Sequence, residues 1–236
     1  MRRSRRYRTL IEGAESRREY PLDEAVEVVK QKANAKFDES VDAAVKLGVD
    51  PKKQDQMVRG TVSLPHGTGK QVRVLVFCKG EKEGEAREAG ADYVGFEDLV
   101  EKIQAGWFEF DVAVATPDTM SAVGRLGKLL APKGLMPSPK TKTVTFDIGP
   151  AVKALKAGRI NYRTDKTGNV HALVGKASFE SQSLAENVRA FVTELVRTKP
   201  SSAKGQYIRN LVLSSTMGPG VRVDTRELTE VIRKGA

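Results

Sequence analysis

The residues best placed to do chemistry in this chain are cations set beside loops rich in proline and glycine. Residues 119–146 carry Arg125, Lys128, Lys133, Lys140 and Lys142 and no acid, around Ala131-Pro132-Lys133-Gly134-Leu135-Met136-Pro137-Ser138-Pro139. Residues 195–223 carry Arg197, Lys199, Lys204, Arg209 and Arg222, again with no acid, around Ser215-Thr216-Met217-Gly218-Pro219-Gly220. Loops of this kind hold backbone amides in fixed directions, and the neighbouring cations attract phosphate. The chemistry they suit is noncovalent recognition of a polyanion, and their pattern points to RNA.

Each constellation also has a plainer reading. The Ser214–Gly220 loop is either a rigid turn that drops Met217 into the core, or a place where hydroxyls, amides and Met217 meet a sugar-phosphate chain. In Lys36-Phe37-Asp38-Glu39-Ser40 the alternation that starts at Val41, extended backward, puts Phe37 and Glu39 on the core side. An exposed Phe37 beside Lys36 would instead suit stacking on a base, and Glu39 would accept from 2′-hydroxyls or base amines. The Thr164-Asp165-Lys166-Thr167-Gly168-Asn169 stretch, flanked by Arg163 and His171, reads as a hairpin turn, with RNA contact as the alternative. Leu135 and Met136 sit among Pro132, Pro137 and Pro139, and so cover something: a facing domain, a partner, or their own sheet. The arginine cluster at the start (Arg2, Arg3, Arg5, Arg6, Arg8) reads as a mobile basic arm that adds nonspecific attraction.

Catalytic signatures are missing where they would be needed. Gly69-Lys70 is followed by Gln71, and Leu64 stands where a phosphate-binding loop needs its first glycine. The turn Cys78-Lys79-Gly80-Glu81-Lys82-Glu83-Gly84 lacks the dinucleotide fingerprint and puts acids where a pyrophosphate would lie. His66 and His171 are far apart in sequence and belong to no nucleophile set, while Asp92, Asp111, Asp118 and Asp147 fall where caps and turns explain them. A nucleotide-binding enzyme is the alternative, not the leading expectation. No cofactor or metal is expected. Cys78 is the single cysteine, which leaves no intramolecular disulfide and fits a reducing cytoplasm. No apolar run has the length of a membrane span, and Glu12, Glu15 and Glu19 argue against reading the basic start as a transit peptide.

These residues need a scaffold. The chain has 236 residues, 39% of them hydrophobic, with a net charge of +10, enough for one large domain or two ordinary ones with a soluble, cationic surface. Leu22, Ala25, Val26, Val29 and Ala33 follow helical spacing behind Pro21, and Val41 to Leu47 alternate as a half-buried strand, a style that Val58, Val62 and Leu64 continue. From Val72 to Phe77 and from Val112 to Ala115 the chain is almost uninterruptedly apolar, as in strands buried on both faces. Helices are expected at 81–89, around Phe96, Leu99, Val100 and Ile103, and from Pro117 to Leu130, with strands at Tyr93-Val94 and Thr143–Phe146. The first style returns with Ile160, Tyr162, Val170, Ala172 and Val174. It continues through a helix carrying Leu184, Val188, Phe191, Val192 and Leu195 and a strand at Ile208–Leu213. An α+β pattern thus brackets an α/β pattern, which implies a domain of two segments with another inserted in it.

Five of these stretches, in this order, resemble the bacterial members of the large-subunit ribosomal protein one family. They are Lys36–Ser40, Leu64-Pro65-His66-Gly67-Thr68-Gly69-Lys70, Gly134–Lys140, Arg163–Asn169 and Ser215–Gly218, within a resemblance spanning about residues 5 to 225. The resemblance implies a two-domain protein of α/β and α+β class. Residues 1–67 and 160–236 would form a discontinuous, split β-α-β-like RNA-binding domain. Residues 68–159 would form an inserted three-layer, Rossmann-like α/β domain. It implies a noncatalytic, monomeric constituent of the cytoplasmic ribosome, with no membrane association. That constituent binds large-subunit rRNA in the stalk, assists release of deacylated exit-site tRNA, and represses translation of its own operon mRNA. Carried over by residue, Lys36, Phe37, Glu39, Ser40, Asp165, Lys166, Gly168, His171, Ser215, Thr216, Met217 and Gly218 become the RNA contacts. Lys133, Gly134, Leu135, Met136 and Lys140 become an interdomain or RNA loop. Ala131, Lys133 and Ser138 depart from the family's usual Gly, Arg and Asn. The tail beyond Thr225 is longer than usual, with Leu228, Val231 and Ile232 at helical spacing.

Overall fold

A computed structural model describes residues 4–11, 18–80 and 82–235; Arg2 and Arg3 of the basic arm, Glu12, Glu15 and Glu81 lie outside the described residues. The chain divides into two compact units, Met1–Gly69 with Ile160–Ala236, and Lys70–Arg159.

The first segment of the two-part unit contains α1 (Arg5–Ile11), β1 (Glu19–Tyr20), α2 (Leu22–Lys32), β2 (Ser40–Leu47) and β3 (Arg59–Ser63). Helix α2 forms where the sequence favours it. Pro21 precedes its first turn, Asp23 and Glu24 sit at the positive end of its dipole, and Lys30 and Lys32 at the negative end. Its stripe of Leu22, Ala25, Val26 and Val29 is buried. In β2 the buried positions Val41, Ala43, Val45 and Leu47 alternate with outward ones.

The second unit follows with β4 (Val74–Phe77), α3 (Lys82–Glu88), β5 (Tyr93–Gly95), α4 (Glu97–Gln104), β6 (Val112–Ala115), α5 (Met120–Arg125), α6 (Gly127–Leu130) and α7 (Ile148–Lys156). Its parallel sheet has the order β5-β4-β6. Both faces of β4 are buried. Leu75 and Phe77 pack with Leu99, Ile103, Val123 and Leu130 from α4, α5 and α6, while Val74 and Val76 pack with Ala86, Ile148, Val152 and Leu155 from α3 and α7. The result is helices, sheet, helices. Trp107, the one tryptophan, meets the ring of Tyr93 edge-on at 4.7 Å between centroids.

Two expectations fail in this unit. The single helix from Pro117 to Leu130 is a 3-10 turn (Pro117–Thr119) followed by α5 and α6, which break at Leu126 between Gly124 and Gly127, the residue type least favourable to a continuous helix after proline. The strand at Thr143–Phe146 is reduced to one parallel bridge, Ala115 to Val144. Lys142 precedes it in the left-handed region at φ 50°, and α7 begins soon after it.

The chain returns through β7 (Arg159–Arg163), β8 (Asn169–Lys176), α8 (Ser181–Arg197), β9 (Ile208–Ser215), β10 (Val221–Val223) and α9 (Thr225–Gly235). These complete a five-stranded sheet of order β1-β10-β9-β2-β8, antiparallel except for the β1–β10 pair. Strands β3 and β7 pair separately. The expected hairpin across Thr164–Asn169 is therefore not one: a bridge from Thr164 to Val170 closes the turn, but the strands on either side enter different sheets. Helices α2 and α8 pack on one face of the large sheet around Val29, Val45, Leu184, Phe191 and Leu213. Asn187 on α8 is wholly buried yet satisfied, donating to the Gly67 and Val174 carbonyls and accepting from the His66 amide. Helix α9 joins this core through Leu228, which gives the long tail a packing role. Among the described residues no helix is long and apolar enough to cross a membrane.

Candidate RNA interface

Because a strand's side chains alternate, the inward set of β2 obliges Asp42, Ala44 and Lys46 to line the opposite face of the large sheet. The register extends that face sideways. Asp42 lies between Ser214 of β9 and Leu173 of β8, Ala44 between Val212 and His171, and Lys46 between Asn210 and Asn169. Arg222 of β10 is beside Val212. These positions are exposed or half-buried, most of them small or polar. Asp42 is an acid among them. Desolvation by its neighbours raises its carboxyl above the usual value, while His171 and Lys176 pull the other way.

One end of this face is built from two loops tied together. The Glu39 side chain is buried, and its Oε1 accepts the Ala35 amide at 2.8 Å while Oε2 accepts the Met217 amide at 2.9 Å. Burial alone would raise this carboxyl; the Met217 and Ala35 amides, helped by the charge of Arg6, more than offset it and hold the group below the ordinary carboxylate value. Thr216 Oγ1 accepts the Ser40 amide at 2.9 Å, and the Thr216 amide donates to the Ser40 carbonyl at 3.0 Å. Lys176 Nζ donates to Ser40 Oγ at 2.9 Å, and Asp38 accepts from the amide and hydroxyl of Ser178. Arg6 spans both loops, donating to Asn34 Oδ1 and to the Met217 carbonyl, each at 2.7 Å. With the backbone so engaged, two apolar side chains point outward: Phe37 is 55% exposed and Met217 48%.

The other end is the Asp165 turn. Asp165 Oδ1 accepts the amides of Asn169 at 2.7 Å and Thr167 at 2.8 Å, and Oδ2 accepts Asn169 Nδ2 at 3.2 Å. The Asn169 amide foremost, with the Thr167 contacts, holds this carboxyl far below its usual range. His171 Nε2 is 3.8 Å from Asp165 Oδ2, Lys46 Nζ donates to the Thr167 carbonyl, and Lys166 is exposed. Gly168 is buried at φ 83°, and a Cβ there would lie 3.3 Å from the Val49 carbonyl. Gly168→Ala is expected to lower the unfolding free energy by about 1–2 kcal/mol, the cost of a left-handed side-chain-bearing residue, read from a urea titration.

His171 is level with Ala44, four positions along β2 from Ser40, or roughly 13 Å at ~3.3 Å per residue. The Asp165 turn lies farther along, past Lys46. The twelve candidate residues therefore form two loop clusters at opposite ends of one sheet face, not a pocket. An extended, shaped partner suits this better than a small molecule.

Several expectations change on this geometry. Phe37 does not join the core, because β2 begins at Ser40 and the alternation does not extend back to it. Met217 does not drop into the core either. Glu39, Ser215 and Gly168 are buried, so none of them offers a surface for RNA; Glu39 positions Met217, and Gly168 shapes its turn. Gly218 belongs with them in part, since a Cβ there would come within 2.4 Å of Ser215 Oγ. Lys36, Phe37, Lys166, His171, Thr216 and Met217 are exposed, and Ser40 and Asp165 half-buried. Arg6, Asn34 and Lys176 were missed. Nothing in an arginine cluster marks which arginine docks, and Lys176 meets Ser40 only through strand register.

In the second unit Leu135 and Met136 are half-buried against that unit's own core, which answers what they cover. Gly134 has φ 72°, Lys133 Nζ lies 4.2 Å from the Phe108 ring centroid, and Lys140 is exposed. The aspartates considered for catalysis include structural ones. Asp92 accepts the Val74 amide at 2.8 Å, and Asp111 is held below its usual pKa by Lys70 at 2.6 Å and by Arg73. Burial pushes the Cys78 thiol up to about 11. Among the described residues no group of three or more His, Cys, Asp or Glu could hold a metal ion.

Compared with known protein families, the chain matches the model described as the Ribosomal protein L1p/L10e family over residues 29–219, well over half its length and including both loop clusters.

Proposed function

Since the chain belongs to the ribosomal protein L1p/L10e family, a family of ribosomal structural proteins and not of enzymes, we propose that its sheet face and end loops hold a bent helical region of large-subunit rRNA. The family places the chain in the cytoplasm on the ribosome, associated with rRNA. The observation that carries the finer reading is the outward pair Phe37 and Met217 on loops whose backbone is pinned by Glu39, Arg6 and Ser40. An exposed aromatic on a rigid platform stacks on bases or riboses at little ordering cost.

In this proposal residues 1–67 with 160–236 are the RNA-binding domain and 68–159 the inserted one. Lys36, Lys166 and His171 contribute charge or donors to phosphates and 2′-hydroxyls, and Thr216 and Met217 supply shape-specific contacts. The assembled stalk assists release of deacylated tRNA from the exit site. The same face, presented with a similar RNA fold in its own operon's messenger, represses translation.

The test is a titration of the intact protein against a stalk-region rRNA fragment and a scrambled RNA of equal length, at several salt concentrations. Binding that prefers the fragment and persists at high salt is expected. Equal binding that vanishes with salt would reduce the face to a generic cation surface.

A further inference from the structure

The short N-terminal helix α1 is seated, not loose. Arg6, Tyr7, Leu10 and Ile11, which share one helical face, are half-buried, while Arg5, Arg8 and Thr9 on the other face are exposed. The seat is the first loop cluster, since the two Arg6 bonds reach residues 28 and 211 positions away.

The Arg6 bond to the Met217 carbonyl completes a clamp. The Met217 amide is taken by Glu39, its carbonyl by Arg6, and Arg6 lies close enough to Glu39 to lower its pKa. A residue held at both backbone ends has little freedom except in its side chain, and Met217 turns that side chain outward. The same docking seats the helix at the Met217 loop, so that the exposed Arg5 and Arg8 are carried by a held helix rather than by a free tail.

We propose that α1 is a third segment of the RNA interface: Arg6 is a positioning residue that fixes Met217, and Arg5 and Arg8 contact phosphates next to that loop. This rests on the RNA-binding reading above and replaces the expectation of a mobile, nonspecific arm for the described part of the N-terminus.

The test compares intact wild type, Arg5→Gln/Arg8→Gln and Arg6→Ala against the stalk fragment and the scrambled RNA. If Arg5 and Arg8 meet phosphates, the double variant lowers the slope of log affinity against log salt by about 1.4–1.8, two contacts at ~0.7–0.9 each. Its affinity for the fragment falls more than its affinity for the scrambled RNA. Arg6→Ala is expected to speed hydrogen exchange at the Met217 amide in the free protein and to weaken fragment binding by about tenfold with an unchanged melting midpoint. An unchanged slope in the double variant, equal losses on both RNAs, or unchanged exchange at Met217 in Arg6→Ala overturns the proposal. Failure of wild type itself to prefer the fragment would instead overturn the RNA-binding reading.

Discussion

Replacing Glu39 with alanine is expected to lower the unfolding free energy by roughly 1–3 kcal/mol, because it strips the acceptor from two part-buried amides at once, those of Ala35 and Met217. It also leaves the Arg6 guanidinium without its nearby countercharge. Fragment binding should then fall further than the unfolded fraction accounts for, since the Met217 loop loses its anchor while the rest of the sheet stays folded. The pH dependence carries the same signature. A carboxyl with a lowered folded-state pKa adds stability above its unfolded value of about 4.5. That contribution disappears as pH falls through the folded value. Wild type and Glu39→Ala should therefore differ most near neutrality and converge in acid. Urea titrations at pH 7 and in acid measure both. A loss below about 0.5 kcal/mol at pH 7 would mean that the carboxylate is not what holds the loops together.

Phe37→Ala and Met217→Asp should do the reverse, sparing the fold and damaging binding. Both side chains are about half exposed, so removing either is expected to move the melting midpoint little. Stacking of a base on an aromatic is worth about 1–3 kcal/mol, so Phe37→Ala should weaken fragment binding by roughly 5- to 150-fold. Met217→Asp places a negative charge against phosphates and should cost roughly a hundredfold, near 2.7 kcal/mol. Phe37→Ala should nevertheless keep the wild-type salt slope, since no phosphate contact is lost. This separates it from the arginine variants. A Phe37 variant whose binding falls only as its fold does would return that residue to a structural role.

The elements that the sequence made legible are those whose apolar spacing is long and regular. Helices α2 and α8 and strands β2, β4 and β6 follow directly from period 3.6, period 2 or uninterrupted runs. Helix α7 carries the same kind of signal, with Ile148, Ala151, Val152 and Leu155 at i, i+3, i+4 and i+7, directly behind a segment whose own spacing reads as a strand. Strands β1 and β10 were not legible, because two or three residues carry no period and pair only once the sheet exists. At the site, glycine and proline marked the loops, and the alternation of β2 extended backward put Glu39 on the core side, where it is buried; the outward turn of Phe37 and Met217 was not written locally. Nor was the Met217 partner of Glu39, whose amide meets it only in three dimensions.

The order of strands in the large sheet has a consequence for the chain as it is made. Strand β2 is complete at Leu47, yet its two neighbours, β8 and β9, begin only at Asn169 and Ile208. Every residue of Lys70–Arg159 leaves the ribosome before either neighbour does. At ~5–20 residues per second, β2 waits on the order of ten seconds without a partner, while the second unit has all its strands in hand. The Met217 loop arrives later still. A chain cut short between Arg159 and the Met217 loop holds the whole second unit but lacks at least part of the sheet face and end loops proposed to bind RNA, so such a fragment is expected to bind the stalk RNA more weakly than the finished chain.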